Sequence, residues 1–341
     1  MLTTLSDNYL FADNILLVGL GSIGKRHLDI LKDIAPLSKV TVWRHKPATY
    51  SDSNHQDIHF VYSLQDALTS TPRVALLCNP SSFHIETGLQ LAENNIHLFI
   101  EKPLSNTLQG VDELVQLCHQ RNLALMVGYN LRFCKSLILM RQTYLDGIIG
   151  RLLSARMEVG QYLPDWRPTQ DYRQGVSAQK VLGGGVLLEL SHEFDYLRWI
   201  CGEVKSVFGQ VRKLSELELD VEDYCEMIFE LEIGAVANIH LDMVQYSPTR
   251  TCKLIGTKGI LIWNALTHQV LVWETKKKIW AEIHPAAALD KNETYRAELN
   301  HFLQCVQEVK TPSPSGEEGR RVVEIVLAVN QSSQDRRIIN L

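Results

Sequence analysis

A short apolar segment followed by three closely spaced glycines, near the start of the chain, constrains the fold more than any other feature. Residues 15–18 form an apolar run of the kind found in strands that are covered on both faces. The glycines follow as G-x-G-x-x-G, and a helical pattern begins directly after them. In this setting the glycines permit a tight turn, the approach of a pyrophosphate to the backbone and close packing of the helix on the strand. The stretch therefore predicts a dinucleotide site at the amino end of a helix. The predicted phosphate-binding residues are Gly19, Gly21, Ser22, Ile23 and Gly24.

Strand and helix patterns alternate through the first 130 residues. Such alternation requires crossover connections, which produce a parallel, doubly wound sheet. We therefore predict an α/β protein whose residues 1–130 form a Rossmann domain. From residue 224 onward the apolar residues alternate with polar ones instead, as in an antiparallel sheet with one buried face. This predicts a substrate-binding and oligomerisation domain of α+β type over residues 131–341, with a large, mainly antiparallel sheet. Its second face needs a cover, which predicts a homodimer or homotetramer.

The second predicted strand ends in Trp43, Arg44, His45 and Lys46. An enzyme that uses NAD usually places an acidic residue here, against the ribose hydroxyls. The basic residues found instead favour NADP over NAD, with Arg44 pairing with a 2′-phosphate. NAD stays open, because the same run also fits a solvated surface.

Composition excludes several classes of protein. A net charge of −5 gives no global basic field for nucleic acid or an anionic membrane. No apolar run reaches the length of a membrane span, and residues 1–13 lack a secretory signal pattern. The seven cysteines show no C-x-x-C spacing, so we expect buried, reduced thiols, no metal site and a cytoplasmic protein.

Two short motifs follow predicted strands at the edge of the sheet where ligands bind. The first is the Asn79-Pro80 turn, and the second is Glu101-Lys102-Pro103. A lysine placed there can hold a substrate hydroxyl and move its proton, and the proline after it admits a cis peptide bond. An ordinary surface lysine is the alternative.

Two stretches of the second half contain candidate substrate residues. Residues 162–180 show no period but include Trp166, Arg167 and Tyr172, which suit a sugar, and packing on their own domain is the alternative. After a triple glycine, Glu189, His192 and Asp195 recur every three residues, so they share one side of a predicted helix. Carboxylates at −3 and +3 can orient the histidine and raise its basicity.

Four motifs, in order and in register, resemble those of the Gfo/Idh/MocA family of NAD(P)-dependent oxidoreductases. They are G-L-G-S-I-G-K-R-H, N-P-S-S-F-H, E-K-P-L and G-Y-N-L-R-F. The resemblance implies that Lys102 is catalytic and that His192 is the general acid/base. It also implies a cofactor lying beside Asn79, Pro80, His84, Glu101, Lys102 and Asn130, with Arg132 close to the substrate. The family places an Asp four residues before the histidine, whereas this chain has Leu188 there and Glu189 three before it.

These residues predict an oxidoreductase that moves a hydride between NAD or NADP and a sugar, polyol or nucleotide sugar. Lys102 and His192 would transfer the proton, with Glu189 as the accompanying acid. Two alternatives remain: a relative that retains NAD and cleaves glycosidic bonds or eliminates groups by transient oxidation, and a non-catalytic nucleotide sensor.

Overall fold

The computed structural model describes residues 11–45, 58–284 and 290–341. Lys46 and residues 1–10, on which parts of the predictions rest, lie outside these ranges. Within the described residues the first sheet has six parallel strands in the order β3-β2-β1-β4-β5-β6. The strands are β1 (Ile15–Val18), β2 (Val40–Trp43), β3 (His59–Val61), β4 (Val74–Leu77), β5 (His97–Glu101) and β6 (Leu125–Gly128).

Four helices connect these strands as crossovers. They are α1 (Ser22–Ile34), α2 (Leu64–Thr69), α3 (His84–Glu93) and α4 (Val111–Gln120). The strands β1 and β4 are buried at every position, as their unbroken apolar runs predict. Strand order reverses between β1 and β4, so the carboxyl ends of these two strands flank the crevice where a doubly wound sheet binds ligands.

The second sheet is mixed and mainly antiparallel, with nine strands in the described part. Its order is β14-β13-β12-β11-β7-β10-β9-β8-β15, and only β7 and β10 pair in parallel. The strands are β7 (Leu152–Gly160), β8 (Val204–Arg212), β9 (Tyr224–Leu231), β10 (Val236–Asp242), β11 (Thr249–Gly256), β12 (Ile260–Asn264), β13 (Gln269–Glu274), β14 (Ile279–His284) and β15 (Ile339–Asn340). The predicted fold class is thus confirmed.

Five more helices complete the described structure. They are α5 (Lys135–Leu145), α6 (Val186–Glu189), α7 (His192–Cys201), α8 (Glu293–Glu308) and α9 (Gly316–Asp335). Helix α9 packs on β8, and a capping box between Ser315 and Glu318 fixes its start. Helix α8 packs against the first sheet, with Leu299, Phe302 and Val306 in the same core as Ile15. The division at residue 130 stays a prediction.

Some local predictions were wrong. The sequence after Glu101-Lys102-Pro103 also predicts a helix that starts at Asn106 or Thr107, but α4 begins at Val111, directly after Gly110, whose φ is +73°. The single helix predicted after the triple glycine is interrupted at residues 190–191, between α6 and α7. Strands β8 and β15 were not predicted, because their sequences show no recognisable alternation of apolar and polar residues. Among the described residues, no helix has both the length and the apolarity required to cross a bilayer.

Candidate active site

One cleft of about 1290 Å³ runs from the glycine turn after β1 to the loops of the second sheet. It brings together side chains that are more than 200 residues apart in the chain. Most of the predicted site residues line it: Gly19, Gly21, Ser22, Ile23, Arg44, Asn79, Pro80, His84, Glu101, Lys102, Asn130, Trp166, Arg167, Glu189 and His192.

The amino end of α1 has the properties of a phosphate site. Its cap is Gly21, whose Cβ position faces open space. No side chain caps this helix and its first turn contains no acid, so the N–H groups and the positive end of the helix dipole are available to an anion. Gly24 lies beneath the cleft, where any Cβ would collide with the Gly19 carbonyl, and this close packing is the one predicted for the third glycine. These residues fit a dinucleotide.

One end of the cleft is bordered by the last residue of β2 and the two residues after it. Trp43, Arg44 and His45 all line the cleft there. The backbone of Arg44 donates to Val61 O at 3.0 Å, while its guanidinium makes no hydrogen bond or ion pair within the described ranges. No acidic residue occupies this end of β2. The guanidinium is therefore available to a ligand.

His84 ties together the two sequence motifs at the sheet edge. Its ring nitrogens lie 2.8 Å from Asn79 O and 3.0 Å from Pro103 O. Burial lowers the pKa of His84, although both carbonyls oppose this effect. The Lys102–Pro103 peptide bond is cis. His84 therefore contributes by fixing the loops that carry Asn79 and Lys102.

Lys102 bridges the two halves of the protein at the centre of the cleft. Its Nζ donates to the backbone carbonyl of Glu189 at 2.6 Å, and its backbone N–H donates to Glu101 Oε2 at 3.2 Å. Glu189 is the last residue of α6, and its carboxylate accepts a hydrogen bond from the Ser177 hydroxyl at 3.0 Å. The ammonium is thus held beside the segment that carries His192.

The structure corrects the predicted surroundings of His192. In the part of the chain that is described, neither Glu189 nor Asp195 hydrogen-bonds to the ring, and Nδ1 has no partner. The prediction that flanking carboxylates raise the basicity of His192 was wrong. Burial lowers the pKa of His192 well below its ordinary value, and the charges of Lys102 and Arg250 lower it further. The imidazole is therefore neutral at pH 7. The break between α6 and α7 removes the shared helical face on which the prediction rested.

Two of the predicted substrate residues do not line the cleft. Arg132 is buried and donates to both carboxylate oxygens of Asp195, at 2.9 and 2.7 Å, and it also pairs with Glu318. The hydroxyl of Tyr172 accepts from the backbone N–H of Glu218 at 3.1 Å. Both side chains hold elements of the second domain together.

The irregular loop after β7 forms the wall opposite the glycine turn. Trp166 lines the cleft with its indole N–H bonded to Gln161 O at 2.9 Å. Arg167 is exposed there, and no side chain in the described ranges pairs with it. The segment 163–182 contains four short 3₁₀ turns.

Several residues of the cleft escaped the sequence analysis, among them two arginines and a tyrosine. Arg26 lies over the ring of Tyr295 at 4.6 Å, and Arg250 reaches the cleft from β11 with its guanidinium bonded to the buried Glu193 at 2.9 Å. Arg26 lies next to the glycine motif, which is a usable signal. Nothing local distinguishes Tyr295 or Arg250, because they reach the cleft only through the packing of α8 and the second sheet.

Two family profiles match the chain. Residues 14–129 match the profile described as an oxidoreductase family with an NAD-binding Rossmann fold, and residues 138–262 match the GFO/IDH/MocA C-terminal domain. Together these two segments cover more than half of the sequence.

Individual proteins resemble the chain at low identity over nearly its whole length. Myo-inositol 2-dehydrogenase of Thermotoga maritima is 25% identical over 336 residues, which are 95% of this chain and 97% of the relative. A levoglucosan dehydrogenase in complex with NADH superposes with a TM-score of 0.86 at 20% identity, covering 96% of this chain and 98% of the other. The WlbA dehydrogenase of Bordetella pertussis, in complex with NADH and UDP-GlcNAcA, gives a TM-score of 0.82 at 20% identity, with coverage of 97% and 98%.

Proposed function

This chain belongs to the Gfo/Idh/MocA family of oxidoreductases, whose first domain is an NAD-binding Rossmann fold, and we propose that it oxidises a hydroxyl carbon of a sugar or polyol, or reduces the corresponding carbonyl. The observation that carries this proposal is that Lys102, His192 and the open amino end of α1 share one cleft. A hydride acceptor, an oxygen ligand and a proton acceptor can therefore meet around one substrate carbon.

The nicotinamide, when bound, supplies the acceptor for the hydride that leaves the substrate carbon with the electrons of the C–H bond. The ammonium of Lys102 donates to the hydroxyl oxygen and stabilises its developing negative charge. The neutral imidazole of His192 takes the hydroxyl proton as the C=O bond forms. In the reverse direction the ring has to take up a proton before it can return one to the carbonyl oxygen, and its lowered pKa disfavours that uptake at pH 7.

The other predicted site residues have supporting parts in this proposal. Gly19, Gly21, Ser22 and Ile23 would hold the pyrophosphate, and Gly24 would allow α1 to pack close beneath it. The Asn79-Pro80 turn, Glu101 and Asn130 would border the nicotinamide half, and Trp166 and Arg167 the sugar. Glu189 acts through its backbone carbonyl on Lys102 rather than as an acid on His192.

NADP preference is a finer hypothesis that rests on Arg44. The guanidinium of Arg44, which pairs with no side chain of the described residues, and the lack of an acid at the end of β2 favour a 2′-phosphate. The alternative, NAD, is supported by two structurally similar dehydrogenases, which were each solved in complex with NADH. A nucleotide sugar as substrate is a second refinement, supported by the arginine and tryptophan of the loop wall.

Self-association through the second sheet is also proposed. Phe208 and Ile228 pair across β8 and β9 on the outer face, with 37% and 51% of their surfaces exposed. Adjacent apolar side chains of this size favour a covered face. The mass in solution, measured by light scattering, tests the prediction of a dimer or tetramer.

The deciding experiment is Lys102→Ala, with Lys205→Ala as the control. Lys205 is an exposed lysine paired with Glu230, away from the cleft. Turnover is measured with NAD and NADP on myo-inositol, levoglucosan and a nucleotide sugar acid, and cofactor affinity by NADH fluorescence. We expect Lys102→Ala to lose about 10²–10⁴-fold in kcat while NADH affinity is retained.

Unchanged turnover in Lys102→Ala would remove the lysine from the mechanism. Product formation without bulk NADH would instead favour the NAD-retaining alternative. Ligand binding without any turnover in the wild-type protein would favour the nucleotide sensor.

A further inference from the structure

Next to the cleft lies a buried cluster of three titratable groups, of which only Glu101 lines the cleft itself. His27 on α1, Glu101 at the end of β5 and Glu298 on α8 offer ligand atoms that all lie within 4.8 Å of one another. His27 and Glu298 are 0% exposed and Glu101 is 7% exposed. A histidine and two carboxylates from three separate elements therefore meet in a site shielded from water.

The three groups are unequally satisfied. Glu101 is engaged on both oxygens: His27 Nε2 lies 2.5 Å from Oε1, and the backbone N–H of Lys102 donates to Oε2. Glu298 has no hydrogen-bond partner for either oxygen among the described residues. A buried carboxylate without any donor is strongly disfavoured, and more so beside a second carboxylate.

No lysine or arginine of the described residues pairs with Glu298. Three other titratable groups lie around Glu298: the thiol of Cys78, the phenol of Tyr295 and the imidazole of His27. Burial raises the pKa values of the thiol and the phenol, so both groups are neutral. Arg26, the cation on this side of α1, stacks over Tyr295 and faces the cleft instead. A proton is the smallest charge that can relieve the repulsion.

We propose that Glu298 is a neutral carboxylic acid in the folded protein at pH 7, and that this proton allows α8 to pack against Glu101 and so positions Lys102. Helix α8 buries Leu299, Phe302 and Val306 in the core of the first sheet, directly beyond Glu298. Ionisation of Glu298 would set two charges against each other at this contact. Glu101, which holds the backbone of Lys102, would be displaced first.

The sign of the pH dependence follows from the raised pKa of Glu298, which burial causes and Glu101 reinforces. In the unfolded chain the carboxyl ionises near its ordinary value of 4.5, whereas in the folded chain it keeps its proton. Stability is therefore lost progressively as the pH rises above about 4.5, until the folded-state pKa is reached. An uncharged replacement of the same shape should remove this loss.

The test compares Glu298→Gln with the wild-type protein and with Glu113→Gln, an exposed glutamate on α4. Unfolding is followed from pH 5 to pH 9. We compare the equilibrium constants of unfolding of the two proteins. The ratio of the wild-type constant to that of Glu298→Gln should rise by up to tenfold for each pH unit above the ordinary pKa of the carboxyl group. Glu113→Gln should run parallel to wild type.

A second readout separates positioning from simple stability. At a pH where both proteins remain folded, NADH affinity and the pH profile of kcat are measured. We expect the alkaline fall of kcat in the wild-type protein to move to higher pH in Glu298→Gln, with KM unchanged. The positioning of Lys102 rests on the proposed function, but the pH dependence of unfolding does not. If the protein does not catalyse the proposed reaction, the unfolding measurements alone still decide whether Glu298 is neutral.

Three outcomes would overturn the inference. Parallel unfolding curves for wild type and Glu298→Gln would mean that Glu298 is ionised in both states. Stoichiometric metal in the purified protein, lost in Glu298→Gln, would mean that the cluster is a cation site. If the variant does not fold, ¹³C NMR of the wild-type glutamate carboxyls decides, and the absence of a protonated carboxyl at pH 7 contradicts the proposal.

Discussion

The change Arg132→Met tests the finding that this residue is structural rather than a ligand of the substrate. Arg132 is 6% exposed and Asp195 is 1% exposed, and two hydrogen bonds join them. Burial raises the pKa of Asp195, while Arg132 opposes that rise. Removing the guanidinium leaves a buried carboxylate without its cation, which costs about 3–5 kcal/mol. Glu318 contributes less, because its side chain is 31% exposed and retains the hydroxyl of Ser313 as a donor.

The cost converts into a measurable shift in melting temperature. With about 2.1 cal/mol/K of unfolding entropy per residue, the 341 residues give about 0.7 kcal/mol per degree. We therefore expect Tm to fall by about 4–7 °C in Arg132→Met. Scanning calorimetry of the cofactor-free protein measures this.

Two further variants distinguish a buried pair from a general effect of losing an arginine. Arg173→Met removes an exposed pair with Asp171, worth about 0–1 kcal/mol, and should shift Tm by less than about 1.5 °C. Arg132→Met combined with Asp195→Leu should recover most of the loss, because no charge is then left buried. A normal Tm with a raised substrate KM in Arg132→Met would refute this reasoning and restore the predicted role in substrate binding.

Three other predictions concern the cleft. Gly19→Ala should weaken NADH binding more than tenfold and lower the free energy of unfolding by more than about 1–2 kcal/mol, because φ is +87° and the new Cβ would lie 2.9 Å from Asn79 N. Gly147→Ala is the control, since Gly147 has a φ of +76° but open space around it. It should show only the backbone cost in the same titration and melting assay. His192→Gln should gain stability relative to wild type as the pH falls below about 6.5, because His192 is protonated in the unfolded chain but stays neutral when it is buried in the folded chain. A difference in Tm between the variant and wild type that is the same at pH 5 and pH 8 would contradict this. Arg44→Ala should lower affinity for NADPH by about 10–100-fold and leave NADH binding unchanged, and equal losses for both cofactors in a fluorescence titration would exclude a 2′-phosphate contact.

Local pattern alone predicted the first sheet and the glycine turn at one end of the cleft. A buried strand, a glycine turn and a helix follow one another without a break, so the positions of Gly19, Gly21 and Gly24 are fixed by neighbours in the chain. The position of Lys102 in the cleft was also predictable, because the end of a strand in a doubly wound sheet lies at the ligand crevice. Amphipathic periods also predict helices over residues 293–308 and 316–335, and α8 and α9 have these bounds.

The environment of each charged side chain was decided by tertiary structure. The spacing of Glu189, His192 and Asp195 predicted a carboxylate pair around the histidine, but a two-residue break in the helix sends one carboxylate to Ser177 and the other to Arg132. Likewise nothing near Glu298 in the sequence shows that it faces Glu101, almost 200 residues earlier.

The physical reason is the range of the interactions. Backbone conformation and amphipathic period depend on residues within one or two turns, so the sequence alone determined the fold class, the family and most elements of the first sheet. Burial, ion pairing and pKa depend on which surfaces meet after the chain has folded, and only the packing of the second sheet and α8 against the first sheet decided those.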